Sequence, residues 1–177
     1  MYLIDVMLSE IKIVGIFHWI FSILVAFYAF LFPKTMFDFI YLFGCIMLLL
    51  FWTMCNGECM ITYWIKSYQD MNYLAGMSTN HAEDMILIPE TDDIVIMLLW
   101  LGQLVTCTSI YIVFLRNGFT KWLSLPFVST YFLYRTISRF SVDHHENHVF
   151  QHIQKVTQGL TLGYLGTYIY LLSQRQC

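Results

Sequence analysis

From residue 13 to residue 32 the chain runs for 20 residues without a charged side chain, IVGIFHWIFSILVAFYAFLF, and stops at Pro33-Lys34. A bilayer hydrocarbon core is ~30 Å thick and takes about 20 helical residues to cross. Lipid offers no partner for free backbone N–H and C=O groups, so a run like this crosses as a helix. Three further runs have the same character: residues 39–57, 94–115 and 156–174. The third is entered through Pro89-Glu90-Thr91-Asp92-Asp93, where Thr91 or Asp92 can cap a helix.

Composition agrees with the runs. Hydrophobic residues make up 58% of the chain and charged residues 12%, against about 25% charged in soluble domains. The net charge is −3 and the basic residues are scattered, so nucleic acid is not an expected partner. Five cysteines, an odd number lying mostly in apolar runs, argue for free thiols rather than a secreted disulfide framework. Asp5 and Glu10 precede the first run with no small-residue cleavage site, which reads as a retained first span.

A fifth span is expected over residues 118–138. Only 13 uncharged residues, WLSLPFVSTYFLY, separate Lys121 from Arg135, and Pro126 lies among them. Both cations can snorkel to the headgroups along their aliphatic stems. A re-entrant or interfacial segment is the rival reading. The expected fold is therefore an all-α polytopic transmembrane helical bundle, one domain over residues 1–177. Its spans are 13–32, 39–57, 94–115, 118–138 and 156–174, with an acidic loop at 58–93.

Five spans put every acid except Asp38 on one side, together with all the histidines but His18. The other side packs Lys34, Arg116 and Lys121 into short loops, and short loops are what the positive-inside rule counts. That favours placing this second side in the cytosol.

Four stretches carry candidate chemistry. In DHHENHVFQH, His144, His148 and His152 share one helical face at i, i+4, i+8, a spacing that suits one divalent metal. His81 and Glu83 from the acidic loop could complete the ligands. A di-iron site needs more histidines than the six present. The bland alternative is a solvated lead-in to the last span, and it is the stronger one.

In WTMCNGECMITYW, Cys55 and Cys59 are four apart, and Glu58 interrupts an otherwise uncharged run. An intramembrane carboxylate needs a partner or water. Either the helix ends at the turn pair Asn56-Gly57, or Glu58 faces the interior with His18 as its partner. In TQGLTLGYLG, Gly159, Gly163 and Gly166 form a small face for close helix packing, within the chain or between copies. The acidic loop offers a solvated face or a docking surface. No nucleophile elbow, phosphate loop or catalytic carboxylate pair is present.

Residues 57–76, GECMITYWIKSYQDMNYLAG, resemble small uncharacterised multi-pass membrane proteins of large double-stranded DNA viruses. Those carry Gly-Glu-Cys-x-aliphatic-(Ser/Thr)-Tyr after their second span, then a Lys and a Tyr-x-x-Gly. His18 and the run from Cys59 to Thr62 are also similar to a pattern in small bacterial membrane proteins of unknown function. Neither resemblance implies a catalytic residue. The missing catalytic set, the short polar loops and the glycine face favour a non-enzymatic integral membrane protein, a structural or scaffolding component of a virion or internal membrane. No cofactor is expected, although a divalent metal is possible. Its partners would be the bilayer, other membrane or capsid proteins, and a second copy of itself. A metal-dependent membrane enzyme or metal transporter using the 144–152 histidines is the first alternative. A small channel or proton-coupled carrier using His18 and Glu58 is the second.

Overall fold

The computed structural model describes residues 2–77, 93–140 and 147–174, with side chains over 13–77, 97–138 and 147–174. The described residues form six helices and no strand: α1 Tyr2–Leu31, α2 Phe37–Met54, α3 Met60–Gln69, α4 Asp93–Arg116, α5 Lys121–Phe140 and α6 His148–Ser173. Three contain stretches long and apolar enough to cross a membrane: Ile13–Leu31, Phe37–Met54 and Met97–Arg116. α5 and α6 have the length, at 20 and 26 residues, but carry more polar side chains.

Local chemistry sets the boundaries. α2 stops because Asn56 and Gly57 adopt positive φ, 51° and 82°, and the Gly57 N–H donates to Trp52 O at 2.7 Å across the end of the helix. α6 starts where the Asn147 side chain accepts from the Val149 and Phe150 N–H groups, both at 3.1 Å. α5 continues through Pro126, whose carbonyl accepts from Thr130 Oγ1 at 2.8 Å.

α4 packs against α1, α2 and α5, while α6 packs against α2 and α5. The core between them is apolar and aromatic, with Leu42, Ile46, Ile110, Phe114, Phe127 and Tyr168 among its members. Three side-chain bonds fix which ends meet. Tyr168 OH donates to Phe39 O at 2.7 Å, Tyr134 OH donates to Trp52 O at 3.2 Å, and Gln154 Nε2 donates to Thr53 O. The C-terminal ends of α2 and α5 therefore lie beside the N-terminal end of α6.

α1 is peripheral. Only 11% of its apolar window is buried, against 39% for those of α2 and α4, and Ile13, Phe17, Ile20, Phe21 and Leu24 all face outward. An apolar surface that large has lipid as its natural solvent.

Two expectations change here. Part of the expected acidic loop is helical, because Met60–Gln69 forms α3. Gly159, Gly163 and Gly166 do not serve packing within the described part of the chain. A Cβ at any of them would meet nothing within 4 Å, and all three are exposed. Among the described residues no other helix approaches this small face.

Candidate functional site

The residues that follow α2 build the more elaborate of two buried polar clusters. The helix end and the buried carboxylate, read from the sequence as alternatives, occur together. The backbone reverses at Asn56-Gly57, and the next residue, Glu58, is wholly buried. Gly57 is required twice over. Its φ is positive, and a Cβ there would lie 2.9 Å from Ser138 Cβ and 3.0 Å from the Phe150 ring. The turn is thus wedged between α5 and α6.

Glu58 is met by residues from the following stretch. Lys66 Nζ lies 3.0 Å from Oε1. Tyr73 OH donates to Oε1 at 2.9 Å and Oε2 at 3.0 Å, and the Gly76 N–H donates to Oε2 at 3.1 Å. A carboxylate has about four lone-pair positions, and three donors meet them, the single Tyr73 proton being shared between the two oxygens. Lys66 also stands 5.5 Å from the centre of the Tyr73 ring. Asn56 extends the cluster, donating from Nδ2 to Ala75 O at 2.7 Å and accepting from Gln154 Nε2 at 2.8 Å.

His18 meets Cys59, with Nε2 and Sγ 3.6 Å apart. Cys59 is the residue before α3, in extended backbone at its N-cap. Burial works against ionisation of its thiol. The His18 ring and the Ile61 and Thr62 N–H groups outweigh it, holding the thiol below its ordinary value. Cys55 caps the end of α2 and Cys59 the start of α3, so the four-residue spacing does not put them on one helical face. α2 ends at Met54, so the turn at Asn56-Gly57 separates the two, leaving Cys55 buried and Cys59 half-buried.

At the opposite end of α2, Asp38 is also wholly buried. Arg116 grips both its oxygens, Nε at 2.7 Å and Nη2 at 2.5 Å. Asn117 Nδ2 donates at 2.6 Å and Tyr28 OH at 3.1 Å. Arg116 Nη1 also donates to Phe32 O at 2.7 Å, covering a carbonyl left open beyond α1. The sequence offered no pointer to this cluster beyond an acid and a cation on one expected side.

His148 is the first residue of α6, behind the Asn147 cap, and His152 lies one turn further along the same helix. His148 and His152 are exposed on its first turns, while His144, like His81 and Glu83, lies outside the described residues. Among the described residues no three His, Cys, Asp or Glu side chains gather where a metal ion could be held. Comparison of the chain with protein-family models, curated proteins and solved structures finds no match.

Proposed function

We propose that this chain is a five-span integral membrane protein with a structural, non-enzymatic role, and that α5 and α6 supply the fourth and fifth spans. One observation carries the reading: both oxygens of each buried carboxylate are met by donors from the same chain, four donors at Asp38 and three at Glu58. A catalytic or proton-carrying carboxylate keeps a position open for substrate, water or a changing proton. Here Glu58 and Asp38 hold the ends of α2 in place. What the molecule offers outward is apolar helix surface, chiefly α1, and the open glycine stripe of α6.

Those surfaces suit lipid, a second copy of the chain, and other membrane or capsid proteins as neighbours. The resemblance of residues 57–76 is the support for a virion or internal membrane. Full-length protein reconstituted in liposomes provides the test. We expect no turnover of lipid or redox substrates and no ion flux. Turnover or flux abolished by Glu58→Gln in a still-folded protein would end this reading. The span count is tested separately by labelling single cysteines introduced along residues 117–147 from either side. Residues 117 and 147 should label from opposite faces.

A further inference from the structure

We infer that Arg135, held over Trp52, binds the phosphate group of a membrane lipid. Among the cations whose side chains are described, Lys34, Lys121 and Lys155 are exposed, while Lys66, Arg116 and Arg135 are not. Lys66 and Arg116 are each neutralised by a buried carboxylate, Glu58 and Asp38. The Arg135 guanidinium is half-buried and has no such partner. Among the described residues it makes neither a hydrogen bond nor an ion pair.

Its contact is with an aromatic ring, the guanidinium carbon lying 4.0 Å from the centre of the Trp52 indole. The indole is a fixed platform. Trp52 is 8% exposed, the Tyr131 ring tilts against it at 5.4 Å, and its carbonyl accepts from Tyr134 OH at 3.2 Å. A cation over a ring is held by its charge and spends no N–H donor on the contact, so all five guanidinium N–H groups stay available. Trp52 Nε1 is a further unspent donor, one of two buried side-chain polar atoms without a partner among the described residues. Unspent donors around a net positive charge select an anion. The forked N–H groups of arginine match two oxygens of a phosphate at once.

Position selects the source of the phosphate. Trp52 lies in the last turn of α2 and Arg135 within the last two turns of α5. These helix ends meet the start of α6, at one edge of the membrane in the five-span reading. Lipid phosphates lie at that level, and an unpaired cation beside hydrocarbon is costly. An arginine that only snorkelled would extend away from the core. Arg135 instead lies back over a buried ring, which aligns it for a ligand seated against the bundle.

The inference rests on the membrane reading, which flotation of the protein with carbonate-washed liposomes checks independently. Full-length protein, stripped of lipid in detergent, is mixed with dioleoylphosphatidic acid, dioleoylglycerol or inorganic phosphate. Bound ligand is read by native mass spectrometry. One phosphatidic acid should be retained, and dioleoylglycerol, which lacks only the phosphate, should not. Arg135→Gln should lower retention at least about tenfold, the low end for a hydrogen bond to a charged group. Arg135→Lys should recover only part of it, because the charge returns without the fork. Lys155→Gln removes an exposed cation near the start of α6 and should leave retention unchanged. Phenylglyoxal labelling of unsubstituted protein serves as the second measurement, since it depends on no variant folding. Phosphatidic acid should shield Arg135 from the reagent, and dioleoylglycerol should not. Equal retention of the two lipids overturns the proposal, as does retention that ignores Arg135→Gln or falls equally with Lys155→Gln. Inorganic phosphate that displaces the lipid overturns the choice of a lipid.

Discussion

The two ends of α2 carry the same kind of group in opposite architectural roles. Asp38 draws its donors from afar: Arg116 and Asn117 are 78 and 79 residues away and Tyr28 is 10 residues before it. Glu58 draws its donors from within 18 residues, at Lys66, Tyr73 and Gly76. The first carboxylate joins α1, α2 and α4 and belongs to the tertiary structure. The second organises one turn and a short helix and belongs to local structure. Both are wholly buried, so the sequence separation of the partners tells the two apart.

The largest effect should come from the Asp38 end. Arg116→Met leaves a buried carboxylate without its cation, a loss of about 3–5 kcal/mol. It should appear as a drop in global stability in denaturant titrations in detergent. Asp38→Leu combined with Arg116→Met should recover part of that loss, because an apolar pair of similar volume removes the desolvation cost. If the double variant is no more stable than Arg116→Met, the cluster acts through more than its ion pair.

Gly57→Ala should come next, at about 2–3 kcal/mol, since it combines a positive φ with contacts on Ser138 and Phe150. Its effect should be read in the packing of α5 and α6 against α2, for instance in the exposure of Ser138→Cys to a thiol reagent.

Glu58→Gln should cost less, about 1–3 kcal/mol, and the loss should stay local. Hydrogen exchange of the Gly76 amide should quicken while the amides of α4 keep their protection. Equal loss of protection across α4 would erase the distinction between the two ends. The smallest effect should be Asn147→Ala, about 1 kcal/mol from removal of the α6 cap. It should be seen as faster exchange at Val149 and Phe150.

The helices were largely legible from the sequence because uncharged runs near 20 residues leave few alternatives. The expected segments 39–57 and 94–115 correspond to α2 and α4 within three residues at each end. α5 covers residues 121–140 although Pro126 lies in it. α3 escaped notice for a physical reason. It is ten residues long and amphipathic, and a helix that short is held by burying Thr62 and Lys66 rather than by propensity.

In the candidate site, the break in charge pattern marked Glu58, while His18 meets Cys59. The assignment of partners failed, because lysine, tyrosine and a backbone N–H compete for a carboxylate through three-dimensional approach. Asp38 was harder still. Its cation lies 78 residues on, and no spacing rule links the two.

That separation also has a consequence for synthesis. A ribosome adds about 5–20 residues per second, so 78 residues take roughly 4–16 seconds. For that interval Asp38 has no guanidinium to meet, and for most of it the first two apolar segments are already made. A nascent chain with an unpaired acid at the membrane edge must keep it hydrated or protonated. The arrival of Arg116 then ends the wait, making emergence of α4 the moment when the earlier helices acquire their final registration.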